Sequence, residues 1–369
     1  MYGFASFYFF FFVLYAFYSL VIGSHYKNNR KRLIVLLFIP LYLLEALRGE
    51  SVGGDLDNYL PMFDSIARSQ SFEELMGVTN TEPGYTLFCK FISCISDSRR
   101  FFLIVISFVS LTGPFFLIYK YSNMPVLSVL LYFALGFYTN TYNNLRQSLA
   151  LSICFMSVPF LLGRKGWKFL LMILLASSMH YSALFFGLIY PILSKDVRPQ
   201  KIVVFFIIII ATFLFAKSSI IGFIINSAFV RYDPESLINE QGQGWGLFSY
   251  YLLLFLVEWF GFSVIRRKLP EDARKMSVFY VELQLMAIAF QMYATMWASM
   301  TRVTYYFYIP IILAAPFYCT IFKKLRKVLI LAVLCLALIF MRGVFSNKEG
   351  TNSNSQGVIP YVLINTKIF

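Results

Sequence analysis

Charge is scarce in this chain. Of 369 residues, 14% are charged, against about 25% in an ordinary soluble domain. With 59% hydrophobic residues beside it, that shortage excludes a soluble enzyme and a disordered chain. Cysteine is scarce as well. Cys89, Cys94, Cys154, Cys319 and Cys335 have no metal-ligand spacing. Cys89 and Cys94 fall on different sides of a helix, which excludes a disulfide scaffold. No P-loop, HExxH or GxSxG occurs. Gly242-Gln243-Gly244-Trp245-Gly246 is rich in glycine but lacks the strand–helix context of a nucleotide site. No cofactor is expected. A divalent metal on Asp55 and Asp57 is the one metal arrangement the sequence offers, and it is not favoured.

Apolar length is what the chain has. Runs fall near 3–22, 33–47, 101–120, 125–139, 145–162, 168–193, 202–218, 246–265, 276–298, 303–322 and 328–343. The expected fold is an all-α polytopic membrane protein. The first run has no basic flank before it and reads as a retained span.

Net charge is +14. The basic residues cluster between the runs, at Lys27/Arg30/Lys31/Arg32, Arg164/Lys165/Lys168, Lys195/Arg198/Lys201, Arg266/Arg267/Lys268/Arg274/Lys275 and Lys323/Lys324/Arg326/Lys327. Short loops rich in Lys and Arg stay inside, so these clusters report topology, and nucleic acid is not expected as a partner. Placing them inside puts 48–100, 140–144, 219–245, 299–302 and the tail 344–369 outside. The run 168–193 must then go out and return, as a hairpin turning at 177–182 with His180 near its tip. This gives 12 spans, two of them short. With Lys120, which also falls inside, the inside then holds 20 Lys/Arg against three acids and the outside 12 against 12, an asymmetry of the expected sign.

The outer loop 48–100 is the largest hydrophilic piece. Tyr59, Met62, Phe63 and Ile66 mark one face of a short amphipathic helix. Ser71-Phe72-Glu73-Glu74 has the form of a capping box. In 85–96, Phe88, Phe91, Ile92 and Ile95 form an apolar stripe opposite Thr86, Lys90, Ser93 and Asp97, the pattern of a helix lying on a membrane.

Topology gathers the informative polar residues at one level, near the outer face. They are Arg48, Asp55, Asp57, Tyr59, Glu82, Tyr85, Arg146, Gln147, His180, Arg302 and Tyr305. Ionisable groups at membrane depth are costly and mark substrate paths. The bland alternatives are interfacial anchors for the arginines and turn residues for the acids. Glu45, Glu258 and Glu282 lie inside apolar runs and read as structural partners of basic residues. Arginine forks bind phosphate oxygens in a bidentate way, so the set suits a phosphorylated lipid at the outer leaflet. A carboxylate or the histidine would take a proton from an incoming sugar hydroxyl. The candidates are Asp55, Glu82 and His180. The Gly53-Gly54 turn favours Asp55 as base, with His180 donating a hydrogen bond to sugar or phosphate.

These pieces together resemble the EpsG-like family of Wzy polymerases of O-antigens and exopolysaccharides. They are Arg48…Val52-Gly53-Gly54-Asp55…Tyr59, Glu82-Pro83-Gly84-Tyr85, Leu145-Arg146-Gln147…Ala150, His180-Tyr181-Ser182-Ala183 and Arg302…Tyr305-Tyr306, in family order over roughly 45–310. Leu56 stands where the family commonly has an aromatic residue. The resemblance implies a glycosyltransferase of the polytopic C type in the bacterial inner membrane. It would move a glycan from undecaprenyl pyrophosphate to the non-reducing end of another lipid-linked repeat unit at the periplasmic face. The lipid-linked oligosaccharide would be both donor and acceptor. A chain-length regulator and the upstream flippase are the implied partners. A flippase for the same lipid, or an O-antigen ligase, stays open as an alternative. The late position of a ligase's large outer loop is not matched, because here that loop comes early.

Overall fold

A computed structural model describes residues 5–77, 81–193, 199–216, 245–297, 299–345 and 361–362. Residues 219–244 of the expected loop, with Gly242-Gln243-Gly244 of its glycine-rich stretch, the basic residues Lys195 and Arg198, and most of the tail 344–369 lie outside them. Among the described residues the elements are helical and no strand occurs. Among the described residues, five helical segments are long and apolar enough to cross a membrane by length and composition: Phe7–His25, Arg99–Tyr121, Leu145–Leu162, Trp245–Ile265 and Met300–Ile321, the last divided by a turn at 309–310.

The helices follow the apolar runs closely. They are α1 (Ala5–His25), α2 (Arg30–Ala46), α3 (Leu56–Arg68), α4 (Phe72–Gly77), α5 (Pro83–Ser93), α6 (Arg99–Tyr121), α7 (Pro125–Ala134), α8 (Phe137–Asn140), α9 (Leu145–Leu162) and α10 (Gly166–Met179). A 3-10 stretch (Tyr181–Leu188) and a short α11 (Ile189–Ile192) follow. Then come α12 (Pro199–Ala216), α13 (Trp245–Ile265), α14 (Glu271–Ala294), α15 (Met300–Tyr308), α16 (Ile311–Ile321) and α17 (Arg326–Phe345). The run 168–193 breaks inside the expected window: α10 stops at Met179 and His180 is extended, at φ −159° and ψ 121°.

The chain divides into two compact units, Met1–Leu184 with Ala315–Phe369, and Phe185–Ala314. In the first, α2 and α6 run antiparallel and cap each other. Arg30, the first residue of α2, donates from Nη2 to the carbonyls of Ile118 and Ser122 at 2.8 and 2.7 Å, at the end of α6. Arg100, near the start of α6, donates to the carbonyls of Ala46 and Arg48 at 3.0 and 2.7 Å, at the end of α2. The last carbonyls of a helix have no intrahelical partner, so each arginine satisfies an orphan acceptor. Pro40 inside α2 has no N–H to give Leu36, and the Tyr18 hydroxyl on α1 fills that place at 3.0 Å.

A layer of α3, α4 and α5 covers the end of the bundle where α6 and α9 begin. Leu56, Leu60, Phe63 and Ile66 of α3 pack with Cys89 and Ile92 of α5 against Phe102 and Ile106 of α6 and Leu145 and Leu149 of α9. The rings of Phe63 and Phe102 stack at 4.5 Å. Lys90 donates to the carbonyls of Ala67 and Ser69, at 3.1 and 2.7 Å, and so caps α3. Ser71 Oγ accepts from the Glu74 N–H at 3.1 Å as the capping box requires, while the Glu74 carboxylate accepts from Gln70 in place of Ser71. The inward face of α5 differs from the expected stripe. Tyr85, Thr86, Cys89 and Ile92 are buried, and Leu87, Phe91 and Ile95 are exposed. The helix buries one face in the layer and turns a second apolar line outward, so neither stripe alone defines it.

In the second unit α14 is the central helix, buried along most of its length. Tyr251 of α13 meets Tyr308 of α15 at 4.1 Å, and Phe290 of α14 stacks on Phe307 at 5.3 Å. Glu282 pairs with Lys201 at 2.5 Å, as expected of an intramembrane acid. The buried carboxylate of Glu258 has no hydrogen-bond partner among the described residues.

Candidate functional site

Pro83 sets the geometry of this site. A residue before proline is driven to extended backbone, and proline at the first helical position starts a helix. Glu82 accordingly sits at φ −63° and ψ 137°, and its side chain makes no capping bond to α5. The carboxylate is left to reach sideways. Gly84 then lets the start of α5 approach the end of α10. A Cβ there would collide with the Ser178 hydroxyl and lie 2.7 Å from the Ser178 carbonyl oxygen. Ser178 is two residues before His180, so this close approach brings Glu82 to the histidine.

Glu82 is 3% exposed and both its oxygens are engaged. Oε1 meets Nδ1 of His180 at 2.8 Å and accepts the Tyr181 N–H at 3.3 Å. Oε2 accepts from Nη1 of Arg146 at 2.5 Å. Burial alone would raise the carboxyl's pKa. The hydrogen bond from His180 and the charges of Arg146 and His180 outweigh it, and hold the group down at about 2 against an ordinary 4.5. In the neutral form of the ring, a carboxylate on Nδ1 keeps the proton there and leaves the lone pair on Nε2. Among the described residues His180 makes no side-chain bond other than the one to Glu82.

Aromatic rings border the cluster. The Arg146 guanidinium lies 6.0 Å from the Tyr59 ring centroid, and Tyr59 meets Tyr85 edge-on at 6.1 Å. Arg146 Nε is a buried donor with no hydrogen-bond partner among the described residues. A buried donor left unpaired is costly, and one within a carboxylate–histidine–arginine cluster is what an anionic or hydroxylated ligand would satisfy.

The other expected residues are placed around this centre. Asp55 is the N-cap of α3, half-buried, one helical turn before Tyr59. Its carboxylate makes no capping bond. The turn before it is pinned to the segment leading into α9. Gly53 has φ +127°, and a Cβ on it would lie 2.6 Å from the Tyr142 carbonyl. The Gly54 N–H donates to the Asn143 side chain at 2.6 Å. Asp57 is exposed in the first turn of α3, and Gln147 is buried in the first turn of α9. Arg48 stands in a pocket of its own. It is fully buried, with Nη1 3.0 Å from the Glu45 carbonyl and 3.6 Å from the Glu45 carboxylate, and its guanidinium is 4.6 Å from the Tyr142 ring centroid. Arg302 and Tyr305 lie in the first turns of α15, both half-buried, in the second unit.

Sequence reasoning did not place Tyr142, Asn143 or Ser178 among the site residues. The signal for Ser178 was Gly84 itself, and the signal for Asn143 was its place three residues before Arg146. Among the described residues no three or more His, Cys, Asp or Glu side chains gather as a metal site would need.

A family model described as the EpsG family matches residues 31–363. The amylovoran biosynthesis protein AmsC of Erwinia amylovora is 23% identical over 187 residues, covering 48% of this chain and 50% of the relative. The chain thus spans about half the length of that curated relative. No solved structure matches.

Proposed function

Because the chain belongs to the EpsG family, we propose that it is a membrane-embedded polymerase of an exopolysaccharide or O-antigen. In this reading it has a polytopic C-type architecture with 12 spans, in a bacterial inner membrane, and its site faces the periplasm. Donor and acceptor are both glycans on undecaprenyl pyrophosphate. The acceptor's terminal sugar hydroxyl attacks the donor's anomeric carbon. A glycosidic bond forms, the carbon–oxygen bond to pyrophosphate breaks, and lipid pyrophosphate departs. A chain-length regulator and a flippase are the proposed partners.

The observation that carries this reading is the Glu82–His180–Arg146 cluster. Glu82, with both oxygens held, orients its neighbours. Arg146 and its unpaired Nε supply charge and a donor for the pyrophosphate oxygens. Two groups compete for the acceptor proton. Asp55 is the carboxylate on the Gly-Gly turn, and His180 presents Nε2 when its Nδ1 proton is held by Glu82. The cluster supports His180, because a base whose tautomer is fixed by a carboxylate is ready at one atom. Asp57, Tyr59, Tyr85, Gln147, Arg302 and Tyr305 are proposed to hold pyrophosphate and sugar, and Arg48, fully buried against Glu45 and Tyr142, to brace the end of α2.

The function is tested by complementing a strain that lacks its polymerase, with the polysaccharide read as a ladder. Long ladders support the reading. A single repeat unit on core, with the protein present in the membrane, overturns it. The base is tested with purified lipid-linked substrate and Asp55→Asn beside His180→Gln. Loss of turnover in His180→Gln with substantial turnover in Asp55→Asn supports His180, and the reverse assigns the proton to Asp55.

A further inference from the structure

The reciprocal caps define two ends of the α2–α6 pair. Arg48 and the start of α9 belong to one, and Arg30 belongs to the other. At the Arg30 end, α1, α2, α7 and α17 enclose a groove of about 710 Å³. Leu20, Leu33, Leu127, Leu130, Ile330 and Leu334 line it along the helices. Lys27, Arg30 and Arg326 line it at the helix ends, and no carboxylate does.

The three cations differ in their duties. Arg30 is fixed by its bonds to the α6 carbonyls. Lys27 and Arg326 are exposed, and neither is in an ion pair among the described residues. Three helices, α2, α7 and α17, begin at this level and two, α1 and α6, end there, so the helix dipoles largely offset and the cationic potential comes from the side chains. The groove therefore has a cationic rim where the helices start and a hydrocarbon wall further along them. Its volume is in the range of sites for whole small molecules, about 300–1,000 Å³, well beyond one inorganic anion.

We propose that this groove binds one anionic phospholipid, its phosphodiester at Lys27 and Arg326 and an acyl chain along the leucines of α2, α7 and α17. Basic pockets between membrane helices recognise anionic headgroups in this way. The apolar wall is what a free phosphate would leave unused, so the lipid is the occupant. Nothing in this inference depends on the polymerase reading.

The experiment is native mass spectrometry of the full chain, wild type and Lys27→Glu with Arg326→Glu, incubated with phosphatidylglycerol, phosphatidylcholine or inorganic phosphate. The wild type should retain phosphatidylglycerol in preference to phosphatidylcholine by about thirtyfold, as two surface cations provide. The double variant should lose that preference. Equal retention of the two lipids by the wild type overturns the proposal, as does an unchanged preference in the variant or displacement of the lipid by inorganic phosphate. Where charge reversal lowers the yield, Lys27→Gln with Arg326→Gln is read by the same criteria.

Discussion

Oε1 of Glu82 lies 2.8 Å from Nδ1 of His180, across 98 positions of sequence. Two segments that look unrelated in the chain are joined at one buried carboxylate, and Arg146 meets its other oxygen. The role of each partner follows from what the other two hold.

Glu82→Gln removes the charge that fixes the histidine's tautomer while keeping the shape. Chain extension should fall about 10²–10³-fold, the scale of a lost acid–base contribution. Protein in the membrane should stay near the wild-type amount, measured by immunoblot. Wild-type ladder length from this variant would remove the cluster from the chemistry.

Arg146→Lys tests the fork against the charge. A lysine offers a point charge and cannot hold Glu82 and a second oxygen in one plane. Polymer length should collapse in this variant, and Arg146→Ala should fare no better. Arg146→Ala also strands a buried carboxylate, at a cost on the order of 3 kcal/mol. A double-mutant cycle with Glu82→Gln should recover much of that stability and none of the activity.

The pH dependence has a definite sign. The folded Glu82 carboxyl titrates at about 2, below its ordinary 4.5. A depressed folded pKa stabilises the protein above the unfolded value and loses that contribution as pH falls towards the folded one. Thermal melts of wild type and Glu82→Gln in detergent should therefore differ by a constant amount at neutral pH. The gap should close between about pH 4.5 and pH 2. A gap that closes near pH 7 would mean a different group is titrating.

Gly84→Ala should push α5 away from α10, because the added methyl meets the Ser178 hydroxyl and its carbonyl oxygen. Overpacking of this kind costs about 1–3 kcal/mol. Activity should fall as well, since Glu82 moves with the helix. Ser178→Gly in the same chain should restore part of it, because the carbonyl contact at 2.7 Å remains.

Much of the fold was legible because apolar length and helix punctuation are local properties. The run near 101–120 became α6 and the run near 145–162 became α9, and the break at His180 fell where serines interrupt the apolar run. The capping box at Ser71 was also readable. The two faces of α5 were not, because a helix that packs on one side and leaves apolar residues outward on another has no single stripe. Glu82, Arg146 and His180 were readable as neighbours in level only. Their pairing depends on Gly84 and Pro83 acting at a distance through the backbone, which periodicity does not record. Arg48 was expected at the site, and its burial against Glu45 and Tyr142 follows from the end of α2 packing on the 138–143 segment, a tertiary fact.

The Tyr361 ring stacks on Phe7 at 4.8 Å, its hydroxyl donates to the Leu44 carbonyl at 2.7 Å, and the Val362 carbonyl accepts the Gly49 N–H at 2.6 Å. This has a consequence for biosynthesis. Glu82, Arg146 and His180, with the segments that carry them, are all translated by Leu184, and the second unit is translated before Tyr361 exists. A nascent chain thus holds every residue of the cluster early, and the contacts to Phe7, Leu44 and Gly49 can form only once Tyr361 and Val362 are made.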